Sequence, residues 1–529
     1  MTEAINSGPK ALATLFADVW EAALGKPPSG RDADFFAAGG DSLLMVRSVT
    51  QLRKAGITAA PVDFLHGRTF AGILARLRAD NNIAHRPVAR PAGGPTPLLP
   101  CQSRWISNAF TDPDHFGFVW VFEIPETTSN GDKVDADRIE AAVRRLTERH
   151  EALRTRYLLD RPEGPVAEVL PQAPDGQFAT VDTDSAGLAE AFEQAVHGHR
   201  LAEGRVFNAL WLPRQRCLQI AVHHLTVDGY SLTMLADELE DALTGRNTGL
   251  PAAQPRDLAT DLAAWLASPH ADEDALRWRA LGLADIPPVR TDTSGPGPLS
   301  TATAATAGLG EQYTAALHTA AGDLGHSVGL LVLAAVARSV AERFGLPAVS
   351  VDTYHHGRDG VPGGHDITTA LGYLQSTYPV VIHAGPRSSW QADALADLAA
   401  VPPATFGFDA LRYAGHPALN SGVASPDVLR GSGIRLNFRS RMNQVNDRTG
   451  RWLRPADAAG GSRRSARQQE PWVLNVEGDV VADRLLLTVR YSKDHYTEQT
   501  VRELLDRAAA LLTELATGRR ARTGEAAPR

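Results

Sequence analysis

A run of prolines near residue 90 constrains this chain more than any other feature. Pro87, Pro91, Pro95 and Pro97 fall beside Gly93-Gly94 and are interleaved with His85, Arg86 and Arg90. Proline at this density blocks helix and removes ladder donors, so the stretch from about 81 to 97 is expected to be an extended, semi-rigid tether. It divides a small first unit (1–82) from a long second one (98–515), with 83–97 between them. The remainder, 516–529, is rich in Arg, Ala and Gly and is expected to be a disordered tail.

The first unit reads as helical. Leu12, Leu15, Phe16, Val19, Trp20 and Leu24 recur every three or four residues, and so do Leu43, Val46, Val49 and Leu52. Phe70, Ile73, Leu74 and Leu77 predict a last short helix. Between the first two stripes lies Gly39-Gly40-Asp41-Ser42, which puts one serine at the head of a helix. A small all-α bundle is expected. The long unit mixes periods. Val119–Ile124, Leu218–Val222, Val349–Thr353 and Leu485–Tyr491 have strand character. Ala136–Leu146, Tyr230–Leu243, Glu311–Phe344 (interrupted around Gly322–Gly329) and Glu498–Leu515 have helical spacing. Both halves repeat this alternation, so two α/β lobes are expected, about 98–285 and 300–515. The Ala/Thr/Gly/Pro-rich stretch from Thr293 to Gly308 is expected to join them.

Charge and cysteine content narrow the function classes. With 53 Lys and Arg against 61 Asp and Glu, the net charge of −8 gives no electrostatic reason to bind nucleic acid or an anionic membrane. Cys101 and Cys217 are too few for a disulfide framework or a cysteine zinc site, so a reducing cytoplasm is the expected location. No secretory signal is legible, and the apolar run Val328–Ala337 is about half of what a bilayer span needs.

Two motifs carry chemistry. The first is Ser42 at a helix start, which by itself reads as a turn with an N-capping residue. With Val19-Trp20, Leu24-Gly25 and Asp34-Phe35-Phe36 around it, residues 8 to 80 resemble a peptidyl carrier (thiolation) domain of nonribosomal peptide synthetases. That resemblance implies a bundle of four helices, with 4′-phosphopantetheine on Ser42 and its phosphodiester held by free N–H groups and the positive dipole end. It also implies a phosphopantetheinyl transferase to attach the arm, and an adenylation domain or other loading enzyme to charge it. Ala37-Ala38 stands where the family often has Leu.

The second motif is His223-His224-Leu225-Thr226-Val227-Asp228-Gly229, at a strand-to-helix junction. The two histidines project to opposite faces of a strand and no third ligand lies near, so no metal is expected. The string resembles the condensation-domain superfamily, related to chloramphenicol acetyltransferase-like enzymes. Arg149 to Thr155, Pro100-Cys101-Gln102 with Trp105, His356-Gly357-Arg358, Leu371-Gly372-Tyr373 and Tyr378-Pro379-Val380 agree with it. The resemblance implies a two-lobed fold with His224 midway along a tunnel, acting on an amine and a thioester. In that reading Asp228 is structural and pairs with an arginine, for which Arg358 is the candidate. Gly229 permits a sharp turn, and His223 is a packed partner of minor importance.

Two branches of the superfamily remain open. Asp228-Gly229-Tyr230-Ser231-Leu232 looks like amide-forming domains. Gly39 to Ser42, Pro113 to Phe116, Asp366 to Tyr373, Phe408 to Tyr413 and Leu474-Asn475-Val476 resemble the epimerising branch. Inverting an α-carbon needs a second acid/base opposite the histidine. In epimerases this is a Glu, whose matching position here is Tyr354, while Asp352 and His355 flank it. A phenol of ordinary pKa ~10 is a poor base at neutral pH. Condensation, with a partner carrier or small amine as acceptor, is therefore the expected activity. Epimerisation is the alternative, and a cyclising or recruiting role stands behind it.

Overall fold

The computed structural model describes residues 9–79, 94–108, 110–184, 187–246, 253–386, 390–414, 416–420, 433–441, 451–457 and 461–518. Most of the proline-rich tether and of the tail therefore lies outside the described residues. Among them, no single helix is long and apolar enough to cross a membrane.

The first unit is a four-helix bundle: α1 (Pro9–Leu24), α2 (Ser42–Lys54), α3 (Pro61–Gly67) and α4 (Phe70–Arg78). Its core is aromatic. Phe16 stacks on Phe70 at 4.9 Å, and Trp20 meets Phe35 edge-on at 5.3 Å. Gly40 is required sterically, because a Cβ there would lie 2.4 Å from the Phe35 ring. The seven-residue α3 carries too few turns to leave a periodic signal in the sequence.

The long unit has two main sheets. The first runs Arg454–Pro455, Gly117–Glu123, Cys217–His223, Phe207–Leu212, Phe178–Thr180. The second has six strands in the order Ser376–His383, Ala348–His355, Ile434–Ser440, Leu474–Val481, Arg484–Ser492, Ala302–Leu309. The lobes are not separate in sequence. Arg454 pairs with Glu123, Gly117 N donates to Arg463 O, and Leu453 is fully buried in the first lobe's core. A segment of the second half thus crosses over and completes the first sheet.

One expectation is corrected here. Ala302–Leu309 is an edge strand in full register with Leu485–Ser492, not a joining linker. Its Ala and Thr side chains alternate about a half-buried pleat, and small residues suit a strand packed under the Glu498–Thr517 helix. The tether reading ends early too: Pro95–Pro97 pairs antiparallel with Val166–Glu168, on a sheet edge where proline costs least.

The first unit sits on the second. Tyr230 and Met234 of the Gly229–Leu243 helix belong to the same apolar cluster as Phe16, Met45 and Val49. Around that contact Arg53 pairs with Asp366 at 2.7 Å and Lys54 with Asp241 at 3.1 Å.

Candidate active site

Strand Cys217–His223 ends at the two histidines. His223 is fully buried and spends both ring nitrogens on backbone: Nε2 donates to Pro113 O at 2.7 Å, and Nδ1 accepts from Leu225 N at 3.1 Å. Those bonds turn the chain sharply and leave the next side chain facing the other way. His224 enters an aromatic box of Phe118 (4.5 Å), Tyr373 (4.9 Å) and Phe116 (5.3 Å). Its Nδ1 is buried without a hydrogen-bond partner, while the ring as a whole is only half-buried. Burial lowers its pKa to about 4, so the imidazole is neutral near pH 7 and free to accept a proton.

Asp228 faces away from this box. Its carboxylate takes both Arg358 guanidinium nitrogens (2.9 and 3.0 Å), the Ser231 N–H (2.8 Å) and the Leu374 N–H (3.1 Å). Burial opposes its charge, but Arg358 together with the Ser231 and Leu374 N–H bonds outweighs it and holds the carboxyl below its usual range. Arg358 also donates to Ser231 Oγ at 2.7 Å and covers the Tyr230 ring at 4.5 Å. The network ties the motif of the first lobe to Gly372–Leu374 and Arg358 of the second. Gly357 makes Arg358's approach possible: it sits at φ +70°, and a Cβ would lie 1.9 Å from Leu374 O.

Gly229 does not play the part its place beside a turn suggests. Its φ is not left-handed, and a Cβ would meet nothing within 4 Å. The sharp turn comes from His223's backbone bonds and the Asp228 cap, and Gly229 instead leaves open space at the head of the helix.

Across the lobe junction stands Tyr354. Arg435 Nη1 donates to its hydroxyl at 3.0 Å, and the Arg104 and Arg435 guanidiniums both lie within 6 Å of its ring. Asp352, on the same strand face, accepts from Trp472 Nε1 at 2.8 Å. His355 points to the opposite face and pairs with Asp359. Arg104 is a site residue that no motif names, while Tyr373 and Asp409 lie inside motif segments that give them no role. Arg104 donates to Tyr373 Oη at 2.9 Å and pairs with Asp409, whose carboxyl burial pushes up to about 6. Arg104's place three residues after Pro100-Cys101 is the available sequence signal.

At the other site, Ser42 is exposed and opens α2. Asp41 caps the helix, accepting from Leu43 N (2.9 Å) and Leu44 N (2.8 Å). An exposed hydroxyl at a capped helix start fits attachment of a phosphopantetheine arm. The cap corrects one expectation: those two N–H groups are already bonded and are not available to a phosphodiester.

The condensation domain model matches residues 95–526, most of the chain. The protein belongs to the condensation-domain family. A phosphopantetheine attachment site matches residues 14–77, so this is a nonribosomal-peptide-synthetase type of carrier joined to a condensation domain, with phosphopantetheine as its cofactor. This carrier–condensation chain is 24% identical to bacitracin synthase 1 of Bacillus licheniformis over 92% of its own length and 9% of that protein's. To tyrocidine synthase 2 of Brevibacillus parabrevis it is 23% identical, over 94% of this chain and 14% of that one. The chain thus spans a small fraction of the length of the curated relatives it matches. Among solved structures, the epimerization domain from the third module of tyrocidine synthetase B aligns with a TM-score of 0.67 at 20% identity, covering 81% of this chain and 98% of that one. The X-domain from teicoplanin biosynthesis gives 0.62 at 18%, covering 82% and 97%. These likenesses speak to the fold.

Proposed function

We propose that this protein forms amide bonds by acyl transfer, using its own carrier as acyl donor. The observation that carries this reading is a free base, His224, at the lobe junction. His224 is neutral and uncommitted on one side, whereas the facing Tyr354 hydroxyl is held by Arg435 and Asp352 is held by Trp472. Acyl transfer to an amine requires one proton acceptor; inversion at an α-carbon requires two on opposite faces.

When bound to Ser42, phosphopantetheine supplies a thiol on which an acyl unit travels as a thioester. The rest is the work of this chain's residues. The Phe116, Phe118 and Tyr373 rings flank the His224 imidazole, which takes the proton of the attacking amine and can return it to the sulfur released as the acyl carbon's C–S bond gives way to the new C–N bond. The Asp228–Arg358 pair fixes the motif's direction, and Arg53, Lys54 and Tyr230 seat the carrier beside it. A phosphopantetheinyl transferase and an adenylating enzyme act before it, a partner carrier or small amine after it, in the reducing cytoplasm.

Three expected outcomes test this reading. Ser42→Ala should take up no phosphopantetheine, read as loss of the ~340 Da gain in intact mass; continued uptake refutes the site. Tyr354→Phe should keep amide-forming activity, and loss of α-deuterium exchange in an otherwise active chain would favour epimerisation instead.

The third concerns pH. His199 and His224 have folded pKa values of about 4, His318 about 4 and His356 about 3, each lowered first by burial. Unfolded histidine titrates near ~6.5, so between roughly 6.5 and 4 the unfolded chain binds more protons and stability rises with pH. Asp228 acts in the same sense, while Asp409, raised to about 6, opposes. The melting temperature should fall steadily from pH 6.5 toward 4; a flat profile contradicts it.

A further inference from the structure

The α2 helix start has lost its ordinary means of binding a phosphate. Asp41 occupies the Leu43 and Leu44 N–H groups, and the Met45 N–H bonds Asp41 O. A phosphodiester on Ser42 would also lie beside Asp41, whose carboxyl is pushed up by burial. The counter-charge must come from elsewhere.

The second lobe presents it. Gly39, three residues before Ser42, has at its Cβ point Arg441 Nε at 3.6 Å and His318 Cε1 at 3.8 Å. Arg441 is 8% exposed. Its Nη2 bonds the exposed Asp483, but its Nε is buried without a partner. His318 Nε2 is likewise buried and unpartnered. Lys26 is a second cation beside Arg441, and Arg441, Lys26 and His318 all lie in range of Asp483. Burial, then Arg441, then Lys26 hold His318 at about 4, so its ring is neutral near pH 7 and Arg441 and Lys26 supply the positive charge of this corner. Neighbouring Gly322 on the His318 helix lies 3.7 Å, at its Cβ point, from Ala37, so this corner is a contact between the carrier and the second lobe.

We infer that Arg441 and His318 form a seat for the phosphodiester of the phosphopantetheinylated carrier, reached only when the carrier is docked. The seat rests on Ser42 being the attachment point. It makes the docked state tighter once the arm is attached: the apo carrier is held by α2's Arg53 and Lys54 pairs, and the holo carrier gains a charge-assisted contact besides. The arm is thereby anchored at its charged end, which directs its thiol end inward from the carrier surface.

The test uses the full chain, loaded at Ser42 by a phosphopantetheinyl transferase with coenzyme A, and observes the phosphodiester by ³¹P NMR. The reference is an undocked variant, Arg53→Glu with Lys54→Glu, which sets like charges against Asp366 and Asp241. In the wild type the resonance should be displaced from the reference and relax severalfold faster, because the group tumbles with the whole chain. Arg441→Gln and His318→Gln, each checked for native circular dichroism, should move the signal toward the reference, and Arg441→Lys should keep part of the displacement. A loaded wild type whose resonance matches the undocked variant and ignores Arg441→Gln overturns the seat while leaving the carrier assignment intact. Absence of any mass gain at Ser42 overturns both.

Discussion

Replacing His224 with alanine should lower acyl transfer by a factor on the order of 10²–10⁴, the usual contribution of a positioned general base. The fold should survive. The ring's Nδ1 makes no hydrogen bond, and its neighbours are anchored independently: Phe118 in its strand, Phe116 by a backbone bridge to Arg464, and Tyr373 by Arg104. The loss belongs in kcat rather than in melting temperature. The pH profile gives a second signature. Because burial lowers His224 to about 4, the acid limb of kcat/KM should lie near 4 and not near the ordinary histidine value of ~6.5. An acid limb near ~6.5 would place the essential base elsewhere. His223→Ala should show the reverse balance, since both its nitrogens hold backbone: less stability, with activity lost only in proportion to the folded fraction.

The second large effect is structural. Asp228→Ala should destabilise the protein by about 3–5 kcal/mol, because it leaves the Arg358 guanidinium buried with its charge uncompensated. Arg358 is 1% exposed, and its remaining contacts are Ser231 Oγ, the His356 carbonyl and the face of Tyr230. Further bonds go with the carboxylate: the Ser231 and Leu374 N–H groups lose their acceptor, and the Gly229–Leu243 helix loses its cap. A chemical unfolding curve measures the cost. A loss below about 1 kcal/mol, typical of a surface ion pair, would mean the pair does not hold the lobes together. Gly229→Ala is the contrasting case. Its open surroundings and ordinary backbone predict unchanged stability, so any loss of activity would report the space that the missing side chain leaves at the head of the helix.

How far the sequence can be read depends on how local each feature is. The helices of the carrier follow from apolar stripes within single elements, and Phe16, Trp20, Val46 and Leu52 are in its core as their spacing implies. The strand-to-helix junction at His224 is legible for the same reason. What escapes is non-local. Arg454–Pro455 is two residues long and completes a sheet made from the other half of the chain, so no periodicity announces it. Ala302–Leu309 carries a composition typical of a linker and becomes a strand only because Leu485–Ser492 offers it a ladder. Arg104 and Arg435 meet Tyr373 and Tyr354 across separations of 269 and 81 residues, and no spacing rule connects such positions. Gly229 misleads because glycine next to a turn suggests a backbone need, whereas here the side chains of His223 and Asp228 make the turn.

Transfer and inversion leave different marks on the acyl unit. They are separated most directly by intact-mass analysis of the full chain, phosphopantetheinylated and charged with an aminoacyl unit at Ser42, incubated in D₂O with a small amine or a charged partner carrier. If this chain transfers its acyl group, the mass of that unit leaves Ser42 and appears on the acceptor, without deuterium at the α-carbon and only while His224 is present. An acyl unit that stays on Ser42 and gains one deuterium would contradict acyl transfer.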